Sequence, residues 1–351
     1  MKKEFYMKKL TKLFGIVGLA LIIGFLMPAC SSDGDGGGSY DVMVDLGVAF
    51  YGLGDSFMLT VKDAIESYAV GKANVEIVDS DNSQSTQNDQ IDQFILDEVD
   101  AMAINLVDNS DAVVGAIIAK AREANIPVVF FNREPSQAEM AKWNKLYYVG
   151  SDAADSGRMQ GEIAYDYWTA NKDADRNGDG TIQYLMFKGE AGHSDATLRT
   201  QYSIKYLTDK GVKVECLEEY TANWSDSAAK TKMTEYFSKY GDKIEMVFCN
   251  NDSMALGVID ALLAAGYFQD GKYMPVMGVD ATSPAIKAIE DGRLLGTVLN
   301  PARSQGIATF DLAYALAANK NLSDMGLKVT NGKYVWVPYE KVTRNNYKNY
   351  Q

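Results

Sequence analysis

AMAINLVDNSDAVVGAIIAKAREANIPVVFFN, residues 101–132, contains one whole repeat of the fold. It opens on an apolar run, AMAINLV (101–107). DAVVGAIIAKAREAN (111–125) follows, with apolar residues at helical spacing, and PVVFFN (127–132) closes it. Neither flanking run alternates apolar with polar residues, as a half-solvated strand would. A short continuous apolar run fits a strand covered on both faces. Strand, amphipathic helix and strand of this kind indicate a parallel sheet with helices on its faces.

The same rhythm runs along the chain. Strands are predicted at 42–50, 75–80, 101–107, 127–132, 147–151, 182–189, 212–220, 246–251, 275–280 and 296–300, with helical patterns such as SFMLTVKDAIESYAV (56–70) between them. Ser283 before Pro284, and Ser225 or Asp226, read as helix starts. So many strands crowd a single sheet, and they divide into two similar sets near Gly150. The expected fold class is therefore α/β, with two similar lobes.

The 351 residues, 47% hydrophobic and 23% charged, suffice for one large or two ordinary domains with a sizeable core. Net charge is −13, and residues 1–29 are basic, so the remainder is more acidic still. Such a surface argues against nucleic acid as a partner. Three cysteines are too few for a disulfide scaffold. Cys216 and Cys249 fall in strand-like runs and read as buried thiols.

The N-terminus reads as a targeting segment. Lys8, Lys9 and Lys12 precede the apolar run Leu13–Leu26, and LMPAC (26–30) ends on Cys30. This is the pattern of a lipoprotein signal peptide over residues 1–29, with Cys30 as the acylated first residue. Met27 and Pro28 are atypical there, and Met7 is an alternative start. SSDGDGGGS (31–39) is a flexible tether, so residues 30–41 link a lipid anchor to the folded part. A chain built this way works outside the cytoplasm, held to a membrane.

In open α/β sheets ligands bind beyond the carboxyl ends of the strands. Asp55, Phe57, Asn132, Arg133, His193, Asp195, Arg199, Trp224, Asn251, Asp252, Asp280 and Asn300 stand there. Taken singly, a strand-end Asn or Asp is usually a turn or helix cap. Their recurrence in both halves favours a ligand. Carboxylates, amides and a guanidinium offer paired acceptors and donors to adjacent hydroxyls, and aromatic faces cover the C–H faces of a sugar ring. The inventory suits a neutral, polyhydroxylated ligand. A phosphate would call for glycine-rich backbone and lysine, and no G-x-x-x-x-G-K-[ST] occurs.

GEAGHSDATLRT (189–200) invites sharper chemical readings. GHSDA resembles a nucleophile elbow centred on Ser194, but that arrangement needs a later histidine, and His193 is the only one in the chain. One histidine and scattered cysteines make a zinc site a poor fit. DADRNGDGTIQ (173–183) matches the first half of a calcium loop, with Asp175, Asn177 and Asp179 alternating before Gly180, then the Thr181 carbonyl and Gln183. Its twelfth position is Met186 rather than glutamate, so a polar turn without metal is the alternative.

Together the stretches DSFM, NDQID, AINLVD, PVVFFNREPS, YYVGSD, FKGEAGHSDA, IEMVFCNNDSMALG, GVDA and GTVLN resemble the periplasmic galactose/glucose-binding proteins of bacterial transport and chemotaxis. These are type I periplasmic binding proteins. The resemblance runs from about Asp41 to the C-terminus. It implies two Rossmann-like lobes with parallel sheets joined by a three-segment hinge: residues 42–150 plus 301–336, and residues 151–300 plus 337–351. By it, Asp55, Asn132, His193, Asp195, Arg199, Asn251, Asp280 and Asn300 hydrogen-bond a hexose that Phe57 and Trp224 sandwich. Asp175, Asn177, Asp179, Thr181 and Gln183 hold a structural Ca2+, completed by the distant Glu245. GLGDSFM departs from the family's more polar approach to Asp55, which leaves the choice between D-glucose and D-galactose open.

The resemblance further implies a non-enzymatic monomer that closes on its sugar and serves an ABC transporter permease, with a chemoreceptor as a further partner. The alternative is a sugar sensor docking on a membrane receptor or kinase without transport. An enzyme on the same sugar is disfavoured by the residue inventory, and a cytoplasmic repressor by the signal peptide.

Overall fold

The computed structural model describes residues 40–54 and 56–351. The expected signal peptide, Cys30, the expected tether up to Ser39, and Asp55 lie outside the described residues. Among the described residues no helix is long and apolar enough to cross a membrane.

Thirteen strands are described. β1 (Val44–Phe50), β2 (Ala73–Asp79), β3 (Ala101–Ile104), β4 (Val128–Phe131) and β5 (Leu146–Gly150) come first. β6 (Thr181–Lys188), β7 (Lys213–Thr221), β8 (Met246–Cys249), β9 (Val276–Met277) and β10 (Gly296–Leu299) follow, then β11 (Val329–Thr330), β12 (Tyr334–Trp336) and β13 (Glu340–Thr343). They form two sheets, ordered β11-β12-β5-β4-β3-β1-β2 and β13-β10-β9-β8-β6-β7. The second thus repeats the strand order of the first. All pairings are parallel except β11 with β12 and β10 with β13, so each sheet is mixed at one edge.

All ten strands expected from the sequence are present. The three short strands near the C-terminus were not foreseen, because two to four residues carry no legible apolar run. The stretch 275–280 is continuous strand only over Val276–Met277, and Asp280, with φ +122°, still bridges to Leu299 of β10.

Burial on both faces accounts for the apolar strands. In β4, Val129 and Phe131 pack on one side with Phe50, Met58 and Phe310, while Val128 and Phe130 pack on the other with Phe94 and Ile117. In β6, Leu185 and Phe187 face one core of the second lobe, and Tyr184 and Met186 the other. Side chains of successive strand residues point to opposite faces, so both positions must be apolar. Cys249 is buried as expected. Cys216 is exposed, which corrects the sequence reading: it lies on β7, the outer strand of its sheet.

The helix Ala302–Ala317 returns to the core of the first lobe. The chain passes between sheets three times: after Gly150, between Leu299 and Ala302, and between Trp336 and Glu340.

Candidate functional site

Two turns in the second lobe show how the chain aims polar groups at the space between the lobes. His193 is the N-cap of helix Ser194–Asp209, its Nδ1 accepting from the Asp195 backbone N–H at 3.1 Å. Asn251 is the N-cap of helix Asp252–Ala264, its Oδ1 accepting from the Met254 N–H at 2.9 Å. Each satisfies an orphan amide of its helix, as an N-cap should. Each also lines the cavity, so a capping side chain stands where a ligand could meet it. With Nδ1 accepting, the neutral imidazole keeps its proton on Nε2. Burial, then Arg133 and Arg199, holds the His193 pKa well below its usual value.

Arg199 lies one helical turn beyond Asp195 and donates to it at 2.9 Å. It also donates to the Asn250 carbonyl at 2.8 Å and to the Tyr339 hydroxyl at 3.1 Å, and stands 4.0 Å from an Asp280 oxygen. Burial alone would favour the neutral guanidine, but Tyr339, Asp195 and Asp280 outweigh it and push the pKa up. Burial raises the Asp195 pKa against the opposing pull of Arg199. Trp224 stands edge-on to His193, ring centroids 5.1 Å apart, and 5.8 Å from the Arg199 guanidinium.

The remaining groups arrive on strained or tied backbone. Asn132 follows β4 with φ +61°, a conformation asparagine tolerates better than most residues. Its Oδ1 accepts from Asn105 at 3.3 Å. The turn that carries Asp280 is pinned by the fully buried Asp252, which accepts from the Thr282 amide at 2.8 Å and the Thr297 hydroxyl at 2.6 Å. Asn300 donates to Asp280 at 3.3 Å.

These side chains line one small cavity between the lobes. Of the ten residues expected to hold a sugar, nine line it: Phe57, Asn132, His193, Asp195, Arg199, Trp224, Asn251, Asp280 and Asn300. The tenth, Asp55, lies outside the described residues. Sequence reasoning missed Tyr51 and Met58, which complete the lining. Tyr51 directly follows β1, a position that could have flagged it; Met58 is 2% exposed and reads as core.

The periplasmic binding protein domain model matches residues 46–321. The chain belongs to the periplasmic binding protein family. Among relatives of this periplasmic binding protein is the D-galactose/methyl-galactoside binding periplasmic protein of Haemophilus influenzae, 40% identical over 304 residues, which cover 86% of this chain and 90% of that protein. A putative rhizopine-binding protein of Rhizobium meliloti is 30% identical over 85% of this chain and 89% of its own length. Among solved structures, an ABC transporter solute binding protein from Bacillus halodurans with bound myo-inositol superposes with a TM-score of 0.74 at 27% identity, covering 91% of this chain and 99% of that one. These relatives are named as binding proteins rather than enzymes.

A second polar constellation lies in the same periplasmic binding protein, in the loop before β6. Asp175 accepts from the amides of Gly178, Asp179 and Gly180 at 2.8–3.1 Å. Asp179 accepts from the Thr181 amide and from the side-chain amides of Asn177 and Gln183. Glu245, distant in sequence, reaches the loop and accepts from the amides of Arg176 and Gln183 at 2.7 and 3.2 Å. Burial, together with Asp175 and Asp179, raises the Glu245 pKa against its backbone hydrogen bonds. The Arg176 guanidinium is directed elsewhere, to the Tyr273 carbonyl and the Tyr267 hydroxyl. Among the described residues no three His, Cys, Asp or Glu side chains group as a metal site. The donors are nonetheless all oxygen and amide groups, a hard set whose chemistry fits Ca2+.

Proposed function

We propose that this chain is an extracytoplasmic solute-binding protein that captures one D-glucose or D-galactose molecule between its lobes. It delivers the sugar to an ABC transporter permease. The observation that carries this reading is the convergence of nine expected sugar ligands, from both lobes and a hinge crossing, on one small cavity. The relative named for D-galactose and methyl-galactoside points the same way.

The chemistry explains the choice of ligand. Asp195 and Asp280 accept from sugar hydroxyls, Arg199, His193 Nε2 and the asparagine amides donate, and Phe57 and Trp224 cover the ring. Arg199 is already matched by carboxylates, so a sugar phosphate would add unpaired negative charge and be rejected. The relatives named above are binding proteins, and we read this chain as one that binds its sugar without performing chemistry on it. The sugar touches both lobes only when they are closed, so its binding energy shifts the population toward closure. A membrane partner reads the closed form.

Cys30 carries a lipid that holds the monomer at a membrane surface through the 31–39 tether. Asp175, Asn177, Asp179, Thr181, Gln183 and Glu245 hold Ca2+, which stabilises the second lobe without touching the sugar. A chemoreceptor is a second potential reader of the closed form, and nucleic acid is not a partner.

The deciding experiment is calorimetric titration of the protein with glucose, galactose, ribose and xylose. Tight one-to-one binding of either hexose is expected. Binding of pentoses alone, or of nothing, overturns the reading.

A further inference from the structure

Gln305 sits in the first turn of the helix Ala302–Ala317 and is 2% exposed. It does not line the cavity. Its Nε2 donates to Asn300 Oδ1 at 2.6 Å and to Ser151 Oγ at 3.0 Å. Ser151 lies on the first passage between the sheets and Asn300 on the second. One amide of a first-lobe helix therefore ties two hinge passages together, and one of them carries a cavity residue.

The orientation of that amide is imposed. Both bonds use Nε2, and Oε1 is buried with no hydrogen-bond partner among the described residues. Asn300 gains a fixed orientation from it. With Oδ1 accepting from Gln305, Nδ2 is left to donate, and it does so to Asp280 at 3.3 Å. Asn300 thus offers the cavity an N–H rather than a carbonyl.

We propose that Gln305 is a positioning residue for sugar capture. It fixes the Asn300 amide with its donor toward the ligand, and it makes that orientation depend on the registration of the two hinge passages. Only the hinge geometry that brings Ser151 and Asn300 to the same amide presents the complete donor set. This rests on the hexose-binding reading above.

The test compares Gln305→Met, which keeps length but removes the donor, with the unaltered protein and with Asn300→Ala. Glucose and galactose affinities are measured by calorimetry, and sugar-free melting temperatures are recorded alongside. Gln305→Met is expected to lose at least tenfold in affinity while melting within a few degrees of the unaltered protein. Combined with Asn300→Ala it is expected to add less than threefold, because it acts through Asn300.

Unchanged affinity in Gln305→Met, or losses that multiply in the double variant, overturns the positioning role and leaves the hexose reading standing. Absence of hexose binding by the unaltered protein overturns both. Should Gln305→Met not fold, Asn300→Asp replaces it. It keeps the acceptor for Gln305 but has no donor for the ligand, and retention of full affinity there overturns the proposal.

Discussion

Arg133 and Glu190 meet across the cleft. The guanidinium belongs to the loop after β4, the carboxylate to the loop after β6, and they are 2.7 Å apart. Arg133 is held from behind, donating to the Val107 carbonyl at 2.7 Å and lying 3.9 Å over the Tyr51 ring. An ion pair that exists only when the lobes approach favours the closed form with or without sugar.

Glu190→Lys should therefore release sugar faster. The pair is partly exposed on its acidic side, so about 1 kcal/mol is at stake and a several-fold rise in dissociation rate is expected. Stopped-flow displacement measures it, and an unchanged rate would remove the latch from the mechanism.

Removing the imidazole in His193→Ala should weaken hexose binding about 5- to 150-fold, the loss of one buried hydrogen bond and its unpaired partner. His193→Asn retains a capping oxygen and should restore melting temperature more fully than affinity. Calorimetry with thermal melts separates the two effects.

Trp224 is positioned by what Gly189 lacks. A Cβ on Gly189 would come within 2.2 Å of the indole ring. Gly189→Ala should displace the indole and cost at least tenfold in hexose affinity without altering any sugar-contacting residue. Wild-type affinity in this variant would show that the stacking face is not needed.

Chelation should lower the melting temperature and leave hexose affinity within about twofold when folded protein is assayed. Added Ca2+ should restore it. Glu245→Gln should melt near the chelated wild type and respond little to Ca2+. Identical melting with calcium and with chelator would reduce the 175–183 loop to a polar turn.

Asp311 is pushed up to about 6, chiefly by burial, while its bond from Tyr40 at 2.5 Å and the nearby Lys72 pull the other way. A carboxyl raised in the folded state binds protons that the unfolded chain has released. Its contribution is full below about pH 4 and is lost as pH rises to about 6. Asp311→Asn should remove this part of the slope, so that the difference in urea midpoint between wild type and variant changes between pH 4 and 6 and is flat above 7. A constant difference across that range would contradict the assignment.

The cavity lining was legible because its polar residues are punctuated in sequence. Asn132, Asn251, Asp280 and Asn300 each interrupt an apolar run, and a buried parallel strand can end on a polar group only at its rim. Gln305 gave no such signal, since it lies inside a helix and acts through another side chain. Tyr339 sits among residues with no periodicity, and its bond to Arg199 depends on how the third passage folds back. Cys216 was misread because residue type does not reveal whether a strand is inner or outer; β7 is outer.

The three passages between the sheets also bear on how the molecule is made. The first lobe needs β12 and the second needs β13, and both follow β10 in the chain. A chain emerging from the ribosome therefore holds two unfinished sheets until β12 and β13 have been made. Strand pairings such as Tyr334 with Tyr148 join segments far apart in sequence and form late. For a periplasmic binding protein, which works outside the cytoplasm, this ordering would keep the nascent chain extended enough for export and defer compaction to the far side.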